Sequence, residues 1–176
     1  KGTHVAIHAK YKDRGGTRDT SFFATLDEGE CFQIFETPKR IILSGAWVEV
    51  LTAGKKISVF CGNRCSNIPV RCGACDMTME QVPPKSTLGT RYLVPPLKGH
   101  VHGYLLKATF LKDSTTLTRD GLYVGTFNKG DIYRYNVMSE RAICMESDKP
   151  ILVAQWMKGK QCNGSSSGDP ALVYIN

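Results

Sequence analysis

Short alternating apolar runs, each closed by a turn signal, leave this chain room for β-strands and little else. Val5, Ile7 and Ala9 alternate with His4, Ala6 and His8, the period of two that a half-buried strand shows. Asp13-Arg14-Gly15-Gly16 follows, where glycine accepts a positive φ without steric cost. Ser21 to Leu26 is the next run, closed by Asp27-Glu28-Gly29. In Cys31 to Phe35, Phe32 and Ile34 share a face, and Pro38 breaks the run. Ile41-Ile42-Leu43 stops at Ser44-Gly45, Val48 and Val50 point away from Trp47 and Glu49, and Lys55-Lys56 leads into Ile57 to Phe60. Signals at roughly 8–12-residue spacing mark an all-β sandwich or barrel. The best helix candidate is short, Asp76 to Gln81, with Asp76 as its cap and Pro83-Pro84 beyond its end. The fold class expected is all-β, an antiparallel, jelly-roll-like sandwich.

The second half repeats the plan. Tyr104 to Leu111 reads as a strand, and Thr115–Leu117 and Leu122–Phe127 as a pair joined across Arg119-Asp120-Gly121. Phe127-Asn128-Lys129-Gly130-Asp131 before Ile132 parallels Leu26-Asp27-Glu28-Gly29-Glu30 before Cys31, an offset of 101 residues. Asp148 to Val153 parallels Gly54 to Val59 at an offset of 94, and each copy then reaches a cysteine, Cys65 or Cys162. Self-similarity on this scale points to a duplicated β unit. The expected division is a first β half at 1–65, a cysteine- and proline-rich crossover at 66–98 and a second β half at 99–176. Each half is small for a core of its own, so the two are expected to pack as one structural unit.

Charge and cysteine content narrow the setting. The formal net charge of +7 favours polyanions, yet the lysines and arginines are scattered and no basic run alternates with aromatics as a single-strand nucleic-acid groove needs. Seven cysteines suggest an oxidising compartment, and an odd number implies a free thiol or a disulfide-linked or non-covalent homo-oligomer. Asn163-Gly164-Ser165 is an N-glycosylation sequon, so Asn163 is the glycosylation candidate. No apolar run reaches the roughly 18 residues that cross a membrane as a helix. The chain starts at Lys1 with no signal or transit pattern, so a processed or excised segment is expected.

Four cysteines lie between Ile57 and Leu97 in a C-x3-C-x6-C-x2-C spacing: Cys61, Cys65, Cys72 and Cys75. Four thiolates suffice for tetrahedral zinc, but structural zinc sites more often pair two tight knuckles, and only Cys72 and Cys75 form one. Disulfides are the better reading, and Cys61 and Cys72 could each reach Cys31, Cys144 or Cys162 instead of one another. His100-Val101-His102 would place two imidazoles on one side of a strand, a weak metal candidate with Lys107 where an acid would help. No Gly-x-Ser-x-Gly elbow, phosphate-cradling loop or HExxH helix is present, so neither catalytic residues nor a cofactor are assigned. Gly168-Asp169-Pro170 reads as a turn before the last strand. Candidate binding loops are 11–19, 61–75, 97–103 and 158–169, with Tyr92, Tyr104, Trp47 and Trp156 as candidates for stacking on sugars.

Lys56 to Phe60, Gly62-Asn63-Arg64-Cys65, Asn67-Ile68-Pro69, Cys75-Asp76, Glu80 to Pro84, Ser86 to Gly89, Tyr92 to Pro95, Asp148 to Val153 and Gly168-Asp169-Pro170 together resemble the N-terminal domain family of the IgG Fc-binding protein. The resemblance implies a secreted β-rich module of adhesive, mucus or matrix proteins, with Cys65 paired to Cys75. Leu88 stands where that family usually has Trp, Met77 where it commonly has His, and Cys61 and Cys72 are additional. Family members include an IgG Fc binder, but no motif here carries that ligand over. The function expected is a non-enzymatic extracellular adhesion or binding module whose partners are glycoproteins or glycans, some anionic. A soluble carbohydrate-binding lectin or defence protein is the alternative, and a cupin-like metal enzyme the distant one.

Overall fold

A computed structural model describes residues 2–35, 40–73, 75–165 and 167–175. The break expected at Pro38 lies outside the described residues. The chain divides into two compact units, Lys1–Val59 and Phe60–Asn176. All strand pairs in both units are antiparallel, and a single 3-10 turn, Lys85–Thr87, is the one helical element among the described residues.

The first unit is a three-stranded sheet of β1 (Thr3–Asp13), β2 (Gly16–Leu26) and β3 (Ile41–Val50), in the order β2-β1-β3. Residues directly opposite share a face of a sheet, so the register groups Val5 with Ala24 and Val50, and Ile7 with Phe22 and Val48. The alternation of β1 therefore continues across all three strands as one apolar face. On the other face the His8 ring stacks on Trp47 with centroids 3.8 Å apart. Gly16 closes the hairpin at φ 122°, a conformation open to glycine and few other residues.

The second unit opens with the ribbon β4 (Phe60–Ser66) and β5 (Asp76–Gln81). Asp76–Gln81 is thus a strand, not the expected helix. Six residues are too few to sustain a helix alone, and the run reads as well by twos: Thr78 is buried against Ser66, hydroxyl to hydroxyl at 2.8 Å, while Met77 and Met79 are exposed. Instead of capping a helix, the Asp76 carboxylate accepts the Met77 N–H at 2.7 Å.

Eight strands then build two four-stranded sheets: β6 (Arg91–Val94), β7 (Leu105–Phe110), β8 (Thr115–Arg119), β9 (Leu122–Phe127), β10 (Ile132–Asn136), β11 (Ile143–Ser147), β12 (Ile151–Met157) and β13 (Ala171–Ile175). One sheet runs β10-β7-β12-β13 and the other β6-β11-β8-β9. Their facing sides make the core. Leu106, Ala108, Phe110, Ile151 and Val153 come from the first, and Tyr92, Val94, Leu117, Ile143 and Met145 from the second. This is the sandwich the alternation predicts, and the second unit forms it by itself.

The repeated turns agree in detail. Gly29 and Gly130 both have φ 85°. In the first turn the Asp27 N–H donates to the Glu30 carboxylate at 2.8 Å and the Glu30 N–H to the Asp27 carbonyl at 3.2 Å. Asn128 and Asp131 make the same two bonds at 2.8 and 3.0 Å. Past the turns the copies diverge: residues 132–136 form β10, whereas 31–35, expected as a strand, pair with no strand among the described residues. Likewise 55–59 run outside any ladder, where 151–157 form β12.

Leu106 is fully buried at the sandwich centre and Leu93 is 71% exposed. Leu106→Ala should lower unfolding stability by about 2–5 kcal/mol, and Leu93→Ala by less than about 0.5 kcal/mol, both read from urea midpoints at constant slope.

Candidate functional site

The cysteine-rich segment is built around two disulfides, both in the second unit. Cys65 is bonded to Cys75 with Cα atoms 5.1 Å apart, closing the bend between β4 and β5. Cys72 is bonded to Cys162, 90 residues on, with Cα atoms 6.0 Å apart. Nesting of Cys61 with Cys72 is therefore excluded, and the thiol of Cys61 meets the Tyr174 hydroxyl at 2.8 Å. That contact, behind the burial of the ring, helps hold the Tyr174 phenol above its ordinary pKa. Cys31 and Cys61 are exposed free thiols, and Cys144 is a half-buried one.

The expected pairing of His100 with His102 on one strand face is corrected by the backbone. Positive φ at Gly99 (80°) and Gly103 (72°) folds 97–103 into turns, which bury His100 and leave His102 exposed. A Cβ on Gly103 would lie 2.1 Å from the Val137 carbonyl oxygen, so the turn excludes any side chain there. Among the described residues no group of three His, Cys, Asp or Glu side chains is placed to hold a metal.

Asn163 is corrected as well. It is fully buried, its amide nitrogen donates to the carbonyls of Lys158 (3.4 Å) and Ser167 (3.0 Å), and its oxygen accepts the Ser165 N–H at 2.7 Å. A glycan on that nitrogen has no space in the folded loop. Beside it Lys158 is only 2% exposed, and its ammonium donates to the carbonyls of His102 and Val137. Burial pushes the Lys158 pKa below its usual value.

The stacking candidates prove occupied. Tyr92 is core, its hydroxyl donating to the Ile151 carbonyl at 2.6 Å, and burial raises its pKa. Tyr104 is fully buried and donates to the Arg141 carbonyl at 2.8 Å. Desolvation lifts its phenol to about 12. Trp47 is covered by His8, and the Lys107 ammonium lies 4.1 Å over Trp156.

The richest surface constellation lies elsewhere, at the open side of the sandwich where β10 faces β8 and β9. Tyr133 and Tyr135 stand two apart on β10, opposite Ala108 and Leu106, so both phenols project toward the sandwich interior. Arg119 enters from the end of β8, where it pairs with Met145. Its guanidinium lies 3.7 Å over the Tyr135 ring and donates to the Tyr133 hydroxyl. Its Nε is buried without a hydrogen-bond partner. The hairpin turn that follows has positive φ at Asp120 (51°) and Gly121 (78°), the primed turn favoured between twisted strands. That geometry aims the Asp120 carboxylate at two donors, the Cys144 N–H (2.9 Å) and the Arg141 guanidinium (3.2 Å).

Arg141 also donates to the Tyr135 hydroxyl at 3.2 Å, and this bond, ahead of the nearby Asp120 charge, raises its pKa further. The Phe110, Phe127 and Tyr133 rings continue the cluster into the core, with successive centroids 4.3 and 5.9 Å apart. Two permanently charged guanidiniums are thus held in place by phenols, a carboxylate and a packed core. The arrangement can bind and orient an anion or a polar partner. The four residues Arg119, Tyr133, Tyr135 and Arg141 escaped sequence reading. Their only local signal is Tyr133-Arg134-Tyr135, whose spacing puts two phenols on one face of a strand.

A family model described as IgGFc binding protein matches residues 1–176. Neither a curated protein nor a solved structure matches the chain.

Replacing Cys72 and Cys162 together by Ala should cost ~4–5 kcal/mol of stability on the chain-entropy model, against ~3 kcal/mol for Cys65 with Cys75, as read by denaturation of the two double variants. Lys158 sets a pH dependence. Between its lowered folded pKa and about 10.5 the unfolded chain holds a proton that the folded chain has released, so stability rises with pH through that window. In Lys158→Met this rise should shrink, leaving the part that Lys107, whose pKa burial also lowers, contributes, and paired denaturation curves from about pH 8 to pH 10.5 would read the difference.

Proposed function

The chain belongs to the IgGFc binding protein family, and from that membership and the geometry above we propose that it is a non-enzymatic binding or adhesion module of a mucus, matrix or cell-surface protein, working outside the cell. The observation that carries this reading is the Arg119–Tyr135–Arg141 cluster, charged groups fixed in advance on a rigid β edge. Tyrosine and arginine are the residue types that concentrate binding energy at protein surfaces, because they offer large contact area and several donors at a low ordering cost. Two oxidised cysteine pairs suit an extracellular setting. No helix among the described residues is long and apolar enough to cross a membrane.

The ligand class that fits is an anionic glycan or glycoprotein, sialylated or sulfated, whose acidic groups would meet Arg119 and Arg141. A net charge of +7 brings such partners in from a distance at low salt. The repeated turns support a duplicated origin for the two β halves.

A glycan array with sialylated, sulfated and neutral members tests the reading. Binding should favour the acidic members and weaken as salt is raised. Arg141→Ala should lose about tenfold in affinity, the worth of one charge-assisted hydrogen bond at a partly exposed site. Equal binding of neutral sugars would move the assignment to the general lectin alternative. No glycan or glycoprotein binding in any arm would defeat both.

A further inference from the structure

The three strands of the first unit can be overlaid on β8, β9 and β11 of the second, and the remaining strand of that second-unit sheet, β6, has no counterpart among the described residues of the first. Leu26 corresponds to Phe127 through the matched turns, and their partners Thr3 and Thr115 then coincide. The hairpin β1–β2 falls on β8–β9. The strand that pairs with β1 from its other side, β3, falls on β11, which pairs with β8. Val5 opposite Val50 matches Leu117 opposite Ser147, so Val48 and Glu49 take the places of Met145 and Glu146. In the second unit β11 carries a further strand on its outer edge: β6, with Arg91 opposite Glu146, Tyr92 opposite Met145 and Val94 opposite Ile143. Among the described residues β3 carries none.

The edge this leaves is suited to pairing. The Leu51 N–H donates to the His4 carbonyl at 2.8 Å, which sets the phase of the ladder. In that phase the backbone groups of Val48 and Val50 point away from β1. The side chains of Ile7, Phe22, Val48 and Val50 on the adjoining face are only half-buried, where Leu117, Ile143 and Met145 of the matching sheet are fully enclosed. Charge is matched too. Arg91 of β6 is ion-paired to Glu146 at 2.8 Å, and Glu49, the counterpart of Glu146, lies 3.6 Å from His8 Nε2 with its side chain still 51% exposed.

We propose that β3 is a strand acceptor. Its outer edge takes up an extended polypeptide segment, supplied from outside residues 1–176, antiparallel to β3. The β6 equivalence sets the chemistry of that segment: a basic residue opposite Glu49, an aromatic residue next to it opposite Val48, and an aliphatic residue two further on. Backbone hydrogen bonds give such strand addition its affinity and the alternate side chains give it specificity. This site is separate from the Arg–Tyr cluster and does not depend on the glycan reading.

The test uses the 1–176 chain, isotope-labelled, titrated with a synthetic peptide of the sequence Gly89 to Leu97. Expected are saturable shifts centred on the amides of Ala46, Val48 and Val50, and slowed hydrogen exchange at Val48 and Val50. N-methylation of the peptide amides that face β3 should abolish binding, and methylation of those facing away should leave it intact. This arm alters only the peptide, so the fold of the chain is not at stake. Glu49→Gln should weaken binding about two- to fivefold, the range of one exposed ion pair. Absence of binding at millimolar peptide, equal binding of both methylated peptides, or shifts centred away from β3 would each overturn the proposal. So would self-association of the chain through β3 that the peptide does not compete with, since the occupant would then be a second copy.

Discussion

Strand β7 is the member on which the second unit depends. It lies between β10 and β12, hydrogen-bonded to both, and turns Leu106, Ala108 and Phe110 into the space between the sheets. With no α-helix among the described residues to cover either sheet, each sheet's apolar face is buried by the other sheet, and sheets packed face to face leave about 10 Å for side chains. Alternation along one central strand therefore sets the phase of its neighbours and, through them, which side of the opposite sheet must be apolar. The Arg–Tyr cluster inherits its rigidity from this packing. Tyr133 and Tyr135 project from the strand directly bonded to β7, and Phe127 stacks on Phe110.

Strands and turns were legible where local chemistry decides them. The alternation of β7, the glycine turns at Gly16, Gly29 and Gly130 and the all-β class all follow from periodicity and from the steric freedom of glycine. Asp76–Gln81 was misread because six residues with an acid in front suit a helix start as well as a strand. What decided it was pairing with β4, a contact the local sequence does not encode. The strand expected at 31–35 has the right alternation and no ladder, which shows that pattern alone does not supply a pairing partner.

The candidate site was less legible, because its parts come together only in three dimensions. Arg119 ends one strand, Tyr133 and Tyr135 sit on another in the opposite sheet, and Arg141 lies in a loop. The Cys72–Cys162 link spans 90 residues, and connectivity of that kind follows from the path of the chain, not from spacing. His100-Val101-His102 would share a face only in an extended segment. Glycines on both sides turn the chain and separate the rings.

The loop between β12 and β13 has one more consequence, and it concerns timing. Asn163 presents a sequon while the chain is unfolded and closes it once Lys158, Ser165 and Ser167 gather around its amide. The attachment of sugar to asparagine acts on the open chain. Folding of this loop and modification of Asn163 are thus rival fates of one side chain, and whichever comes first shuts out the other. A chain that met the modifying enzyme early would be left with a loop unable to seat against Lys158. The Cys72–Cys162 bond anchors the residue next to it, so the sequon sits in a loop that is braced covalently as well as by the Asn163 amide.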